Sequence, residues 1–179
     1  MSAQVIFMAF LKADIYQKTI FDVDYKKLKQ DGIKCLVFDL DNTLSLIDED
    51  RCPKETKKLL EKLKRDFLVF ICSNNNKERI IPFIEELKIE GEAFSLKPIP
   101  KGLMRIRKKC GIKKNEMAMI GDQLVTDILS GKLYGVTTVL VDPLGDKDLK
   151  ITGFNIKIER FILKKYEKDG VFKRGSYYE

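Results

Sequence analysis

Short apolar runs alternate along this chain with longer stretches in which apolar residues recur at helical spacing. The short runs are typical of buried strands, and the longer stretches are typical of amphipathic helices. Strands that alternate with helices favour a parallel sheet covered by helices, because each connection must cross one face of the sheet. We therefore predict an α/β fold with a three-layer, doubly wound parallel sheet. The predicted strands are Lys34–Asp39, Phe67–Ser73, Glu116–Ile120 and Thr137–Val141, with a weaker one at Ala93–Leu96.

The segments between these strands predict four helices: Pro53–Arg65, Lys77–Leu87, Pro100–Cys110 and Gln123–Leu133. A proline suits the first turn of the first helix, whereas Pro82 indicates that the second is either kinked or begins later. In the third helix, apolar residues lie on one side and basic residues on the other. The apolar side holds Leu103, Ile106 and Cys110, and the basic face consists of Lys101, Arg105, Lys108 and Lys109.

Both ends of the chain predict further helices. Residues 1–33 contain an apolar stretch, Val5–Leu11, followed by lysine-rich sequence, and we expect one or two helices packed on the sheet. Residues 156–168 predict a final amphipathic helix with Ile158, Phe161 and Ile162 on one face. No repeat, low-complexity tract or linker interrupts the 179 residues, so we expect residues 1–179 to form a single domain.

The composition limits the chemistry that the chain can support. It has 34 basic and 27 acidic residues, a formal charge of +7, and no histidine. The lack of histidine excludes His-based catalytic triads and imidazole metal ligands, so carboxylates and lysines must carry any catalysis. The four cysteines have no C-x-x-C spacing and are expected to be ordinary reduced thiols. With no recognisable signal sequence or membrane-spanning run, the expected compartment is the cytosol.

The first predicted strand ends in residues that stability alone does not explain. Its apolar run leads directly into Asp39 and Asp41, and Thr43 follows. Carboxylates near an apolar core cost free energy unless something pairs with them. Mg²⁺ is a natural partner, because it binds a few carboxylates together with phosphate oxygens and water. A remaining carboxylate could act as a nucleophile or transfer a proton, so this segment indicates metal-assisted phosphoryl transfer.

Polar residues also follow the other predicted strands. Ser73 and three asparagines follow the second strand, Lys97 lies in a later loop, and Gly121-Asp122 begins a segment that reaches Asp127. Taken singly, each is more typical of a turn, a helix cap or a surface lysine than of a functional site. In open parallel sheets, however, ligands bind beyond the carboxyl ends of the strands. Four such ends in this order predict one site that holds Mg²⁺ and a phosphoryl group.

These segments resemble the motifs of the haloacid dehalogenase (HAD) superfamily of phosphatases. Asp39-Leu40-Asp41-Asn42-Thr43 looks like the first motif, Ser73 the second, Lys97 the third, and Gly121-Asp122 through Asp127 the fourth. Finer details resemble the YqeG-type group of subfamily IIIA, which is similar to mitochondrial phosphatidylglycerophosphate phosphatases. The resemblance implies a HAD-like Rossmannoid fold and a phosphoric monoester hydrolase. The segments that carry the finer resemblance are Ser73-Asn74-Asn75-Asn76, Lys97-Pro98, Gly121-Asp122-Gln123-Leu124-Val125-Thr126-Asp127 and Ile158-Glu159-Arg160.

The resemblance also implies a role for each residue of the site. Asp39 would attack phosphorus to form an aspartyl-phosphate, and Asp41 would protonate the leaving oxygen and then activate water. Mg²⁺ would be bound by Asp39, Asp122 and the main-chain carbonyl of Asp41, with Asp127 further out or acting through a water. Thr43 would orient the loop. The residues implied in binding the phosphoryl oxygens are Ser73, Asn74 and Lys97.

The intervals between the motifs limit the choice of substrate. Each is filled by a helix and a strand, which leaves no room for a folded cap domain, so we expect an open site. An open site suits a phosphate displayed on something larger, and the resemblance favours phosphatidylglycerophosphate in phospholipid biosynthesis. The basic face and Val5–Leu11 would then contact an anionic membrane peripherally. From composition alone, a solvated helix face is the simpler interpretation.

Two alternatives stay open. One is a HAD phosphatase that acts on a sugar phosphate, a nucleotide or a nucleic-acid end, although no recognisable nucleic-acid-binding module supports the last of these. The other is a non-catalytic binding protein on the same scaffold, and the four complete motifs argue against it. Ser45 and the acidic loop Asp48–Asp50 depart from the group's pattern, which bears on the substrate contacts near that loop.

Overall fold

Six parallel strands form the sheet of the described part of the chain. The computed structural model describes residues 10–145, 153–170 and 172–179, with the backbone alone for residues 153–160. The strands are β1 (Ile15–Gln17), β2 (Cys35–Phe38), β3 (Leu68–Cys72), β4 (Glu90–Glu92), β5 (Met117–Gly121) and β6 (Thr137–Val141). Their order in the sheet is β1-β6-β5-β2-β3-β4. The chain therefore adds strands on one side of β2 and then on the other.

The central strands are buried because they are apolar on both faces. All residues of β2 are buried, and Val37 lies opposite Phe70 of β3 and Met119 of β5. Continuous apolar runs of this kind are typical of parallel strands that helices cover on both sides. Successive side chains alternate between two cores, with Leu36 in one and Cys35 in the other.

Helices cover both faces of the sheet. They are α1 (Tyr25–Gln30), α2 (Lys54–Leu63), α3 (Lys77–Leu87), α4 (Lys101–Cys110), α5 (Leu129–Tyr134) and α6 (Gly153–Lys168). Helices α1 to α3 share the core that contains Leu36, whereas α4 and α5 pack in the core that contains Cys35. Helix α6 packs through Ile162 and Tyr166 near Tyr16 of β1. The predicted three-layer α/β fold with a doubly wound parallel sheet is confirmed.

The two edge strands differ from the sequence prediction. The sequence predicts only helices before residue 33, but Ile15–Gln17 forms β1 and pairs with β6. The weak strand predicted at Ala93–Leu96 is wrong, since the strand is Glu90–Glu92, paired with β3. Both edge strands have three residues, too few for a hydrophobic pattern to identify them, so pairing with one neighbour determines their position.

Two predicted helices also differ in detail. Helix α3 begins at Lys77 and contains Pro82, and the side chain of Asn76 caps it by accepting a hydrogen bond from the N–H of Arg79 at 3.0 Å. The stretch predicted as one helix, Gln123–Leu133, divides into a π-helical turn, Leu124–Ile128, and α5. The π-helical turn begins three residues after the end of β5 and belongs to the site.

The C-terminal helix begins earlier than predicted, at Gly153. Ile162 is buried, but Phe161 is 70% exposed, so the prediction that they share an apolar face is wrong. Adjacent residues point about 100° apart around a helix. The side chain of Ile158 and most of Val5–Leu11 lie outside the described residues. Among the helices in the described ranges, none is both long and apolar enough to cross a membrane.

Candidate active site

The carboxyl ends of three neighbouring strands bring predicted site residues together. Strand β2 pairs with both β3 and β5, so the residues that follow these strands emerge side by side. Asp39 continues the pairing by donating its N–H to the carbonyl of Ile120 at 2.9 Å. Asp39, Ser73 and Asp122 are all buried at this edge of the sheet.

Three carboxylates converge at this edge. One oxygen from each of Asp39, Asp122 and Asp127 lies within 4.8 Å of the others, and all three residues are buried. The hydroxyl of Thr43 donates a hydrogen bond to Asp122 at 3.2 Å. Burial raises the pKa of Asp39 to about 7; Lys97 opposes this rise and the charge of Asp127 adds to it. Clustered carboxylate oxygens of this kind fit a divalent cation such as Mg²⁺. We call these three residues the acidic cluster.

Lys97 places an ammonium group among these carboxylates. It forms ion pairs with Asp39 and, at 2.6 Å, with Asp127, and its side chain is 3% exposed. Burial opposes the charge, but the two aspartates outweigh it and raise the pKa of Lys97 above its ordinary value. Lys97 therefore stays charged beside Asp39, at a position from which it could contact a phosphoryl group bound to that residue.

Asn74 holds the loop that carries Lys97. Its side-chain oxygen accepts hydrogen bonds from the N–H of Lys97 at 2.7 Å and the hydroxyl of Ser95 at 2.8 Å. Its NH₂ group donates to the carbonyl of Lys97 at 2.9 Å. These contacts position the lysine loop, and the phosphate-binding role that the resemblance implies for Asn74 stays a prediction. The Ser73 hydroxyl accepts from the N–H of Asn75 at 3.1 Å and can still donate its proton to a ligand.

Asp127 reaches the acidic cluster from the π-helical turn. Its Oδ2 accepts a hydrogen bond from the N–H of Gln123 at 3.2 Å. A Cβ on Gly121 would lie 2.3 Å from the same oxygen, so glycine leaves the space that this carboxylate occupies. Turns of π-helix are frequent at functional sites. Asp127 is in direct contact with Lys97, and the role further out from the magnesium or through a water that the resemblance implies for it stays a prediction.

The carboxylate of Asp41 has different partners. Arg79, in the first turn of α3, donates to Asp41 Oδ1 from Nε at 3.0 Å and from Nη2 at 2.8 Å. Asn75 donates to Oδ2 at 2.5 Å. The same guanidinium donates to the carbonyls of Leu46 and Glu49. Arg79 therefore fixes both the Asp41 side chain and the loop after the first motif.

Arg79 is the site residue that the sequence reasoning misses. It lies three residues after the helix cap Asn76, so it belongs to the first turn of the helix that follows Ser73. A helix that begins at the ligand-binding edge of a parallel sheet directs its first turn toward that edge. A basic residue at this position was the signal available in the sequence.

A small cavity of about 70 Å³ lies at the carboxyl ends of the strands. The lining comes from the ends of four segments: Asp39, Asp41, Asn42, Ile47, Ser73, Asn74, Asn75, Lys97, Gln123 and Thr126.

Comparison with known proteins identifies the family. A family model for haloacid dehalogenase-like hydrolases matches residues 11–135. The chain belongs to this family. It is 38% identical over 165 residues to the probable phosphatase YqeG of Bacillus subtilis (strain 168), with 90% of this chain and 94% of that protein covered. The predicted resemblance to HAD proteins of the YqeG type is confirmed, as is the prediction of a HAD-type phosphatase.

A more distant relative comes from Arabidopsis thaliana. The chain is 25% identical over 173 residues to phosphatidylglycerophosphate phosphatase 1, chloroplastic/mitochondrial, of that plant. The alignment covers 90% of this chain and 50% of the plant protein, so this chain spans about half the length of that relative.

Solved structures share the HAD fold. A HAD family enzyme from Bacteroides thetaiotaomicron, determined as a magnesium complex, has a TM-score of 0.52 at 16% identity and covers 64% of this chain and 96% of its own. A predicted HAD-like hydrolase from Porphyromonas gingivalis has a TM-score of 0.53 at 14% identity, with 71% and 97% covered. At these identities the likeness shows the fold alone, and the predicted HAD-like Rossmann fold is confirmed.

Arg79→Ala is expected to lower kcat for p-nitrophenyl phosphate about tenfold with little change in KM, because misplaced catalytic groups slow the reaction. The backbone amide hydrogens of residues 46–50 should exchange faster with solvent, because the carbonyls of Leu46 and Glu49 lose their hydrogen bonds from the guanidinium. Arg79→Lys should restore only part of the rate, because lysine lacks the planar fork. Steady-state kinetics and hydrogen exchange measure both effects. Arg65→Ala, at an exposed arginine after α2, is the control, and wild-type kcat in Arg79→Ala would contradict the positioning role.

Proposed function

We propose that the chain is a Mg²⁺-dependent phosphomonoester hydrolase that works through an aspartyl-phosphate intermediate. The observation that carries this proposal is the acidic cluster together with the buried ammonium of Lys97. Burying several charged groups together contributes little to stability, because the loss of hydration offsets their attraction. A catalytic role explains why they are gathered at the ligand-binding edge of the sheet.

Asp39 is the proposed nucleophile. Its carboxylate attacks phosphorus, the bond from phosphorus to the leaving oxygen breaks, and Asp41 donates a proton to that oxygen. Asp41 then takes a proton from water, which attacks the phosphorus and releases phosphate and Asp39. Lys97 and Ser73 donate hydrogen bonds to the phosphoryl oxygens and stabilise the charge that develops there.

The acidic cluster is the proposed magnesium site. Asp39 and Asp122 would hold the ion with the main-chain carbonyl of Asp41, and the oxygens of Asp127 are near enough to contribute. When bound, Mg²⁺ supplies positive charge that offsets the negative charge of the phosphoryl oxygens. Thr43, which donates to Asp122, would orient that ligand.

Phosphatidylglycerophosphate is the proposed substrate, which would place the enzyme in phospholipid biosynthesis. The Arabidopsis relative bears the name of that activity and aligns with most of this chain. The connections around the site also favour a phosphate carried by a large molecule. The connection between β2 and β3 consists of a loop and α2, and the connection between β3 and β4 consists of α3. Neither of these fully described connections contains a folded cap domain over the site, so an open site is part of the proposal.

The basic face of α4 is partly neutralised. Arg105 pairs with Glu92 at 2.6 Å, and Lys109 pairs with Glu92 at 3.1 Å and with Glu90 at 3.4 Å. The side chains of Arg105 and Lys109 are themselves about half exposed, as is typical of a solvated helix face. Membrane contact through this face, and a location in the cytosol, therefore stay predictions.

A substrate panel tests the proposed function. With Mg²⁺ present, we expect the highest kcat/KM on phosphatidylglycerophosphate, some release of phosphate from p-nitrophenyl phosphate, and no turnover in excess EDTA. Faster turnover of a sugar phosphate, a nucleotide or a phosphorylated oligonucleotide would contradict the proposed lipid substrate. It would still support Mg²⁺-dependent hydrolysis of phosphomonoesters. Failure to hydrolyse any member of the panel with Mg²⁺ would contradict the chemistry and favour a non-catalytic binding protein.

A further inference from the structure

Four large apolar side chains are exposed around the loop that carries Lys97. Phe94 is 55% exposed, Leu96 50%, Ile99 52% and Met104 51%. They all lie within residues 94–104, whereas the other exposed large apolar residues of the described ranges are spread along the chain. We call residues 94–104 the rim loop. A local concentration of exposed apolar side chains marks an interaction site.

The backbone of the rim loop holds two of these side chains outward. Ser95 and Lys97 are buried, while Phe94 and Leu96, which alternate with them, are exposed. Phe94 has φ of +47° and Leu96 has φ of +63°, a left-handed conformation that bulky side chains rarely adopt. Such strain persists where function requires it. Here it exposes apolar surface immediately beside the lysine of the site.

The sequence around the rim loop is basic. No acidic residue occurs between Glu92 and Glu116, and Lys101 and Lys108 are exposed on α4. Exposed apolar residues interspersed with lysines match the surface of an anionic bilayer, where apolar groups enter the acyl boundary and ammonium groups meet the head groups.

We propose that the rim loop docks on an anionic lipid bilayer and inserts Phe94, Leu96, Ile99 and Met104 into its surface. Lys97 lies between the inserted residues and contacts Asp39, so insertion places the mouth of the cavity at the depth of the head groups. A lipid phosphomonoester could then reach Asp39 without leaving the bilayer. This inference rests on the proposed lipid substrate, and it assigns the inserted apolar contact to the active-site rim, with the exposed Lys101 and Lys108 of α4 beside it.

Two matched double variants test the inference. Phe94→Asn/Leu96→Asn removes apolar surface, and asparagine tolerates the left-handed backbone. The control, Leu68→Asn/Leu133→Asn, removes side chains that are 46% and 56% exposed. Leu68 begins β3, and Leu133 lies at the end of α5 just before β6. The control positions are therefore at the opposite edge of the sheet from the site.

Sedimentation with vesicles of phosphatidylglycerol and phosphatidylcholine is the primary measurement. We expect the wild type and the control to bind, and Phe94→Asn/Leu96→Asn to bind at least about tenfold more weakly. Turnover of p-nitrophenyl phosphate should be similar in all three proteins. Failure of the wild type to bind, or equal binding by both double variants, would overturn the docking proposal.

Further readouts separate docking from the proposed function and from self-association. Vesicle binding through the rim loop without hydrolysis of phosphatidylglycerophosphate would retain the docking site and overturn the lipid substrate. A wild-type dimer that Phe94→Asn/Leu96→Asn dissociates, with unchanged vesicle binding, would assign the rim loop to a second copy and overturn docking. If that variant folds poorly, Ile99→Ser/Met104→Ser makes the same comparison, and equal vesicle binding by it and the wild type would overturn the proposal.

Discussion

Asp39→Asn is expected to lower Mg²⁺-dependent phosphate release from p-nitrophenyl phosphate by at least about 10³-fold, the scale seen when a catalytic nucleophile is removed. The amide keeps the shape of the side chain but lacks the charge that attacks phosphorus. Lys97 keeps its pairing with Asp127, so the variant should remain folded. Initial rates at saturating Mg²⁺, together with thermal unfolding, measure the effect.

Asp66→Asn is the matched control for this substitution. Asp66 is half exposed and pairs with Lys29 on the surface, where an ion pair contributes little. Its rate should equal that of the wild type. A folded Asp39→Asn protein whose rate lies within tenfold of the wild-type rate would exclude Asp39 as the nucleophile.

Lys97→Met is expected to reduce both stability and rate. In EDTA the free energy of unfolding should fall by about 3–5 kcal/mol, because removing one partner of a buried ion pair leaves the other charges uncompensated. The charges left without their lysine partner are those of Asp39 and Asp127. Turnover should fall about 10²–10³-fold, since the developing charge on the phosphoryl oxygens loses a donor. Urea unfolding and steady-state kinetics measure the two effects.

Lys101→Met is the control, because Lys101 is an exposed lysine on the same stretch of chain. Lys101→Met should change neither the free energy of unfolding nor the turnover rate appreciably. Added Mg²⁺ should recover part of the stability lost in Lys97→Met, because a cation that binds the folded state raises its stability. Wild-type stability of Lys97→Met in EDTA would show that the buried ion pairs do not hold this site together.

The sequence predicts the central sheet well because burial on both faces leaves a clear pattern. The observed bounds of β2, β3 and β5 differ by one residue at either end from the predicted ones, and those of β6 agree. Edge strands β1 and β4 carry no such pattern, because their position depends on one neighbouring strand. The exposed position of Phe161 could not be predicted either, because a helical period alone does not identify which residue at the border of the apolar face turns toward the core.

Asp39 and Asp122 could be predicted because each directly follows an apolar strand. Their order along the chain, combined with the rule for parallel sheets, brings Asp39 and Asp122 together. The contacts of Arg79 and Asn74 could not be predicted, because they join loops that are distant in sequence. The outward positions of Phe94 and Leu96 depend on left-handed backbone that no hydrophobic pattern indicates.

Transfer of the phosphoryl group to Asp39 is the central step of the proposed mechanism. Borohydride reduces an acyl phosphate to an alcohol, so quenching the enzyme during turnover would convert a phosphorylated aspartate to homoserine, which peptide mass spectrometry locates. We predict homoserine at position 39, and only when Mg²⁺ and a phosphomonoester are both present. Homoserine at another position, or none in enzyme that is releasing phosphate, would contradict the mechanism.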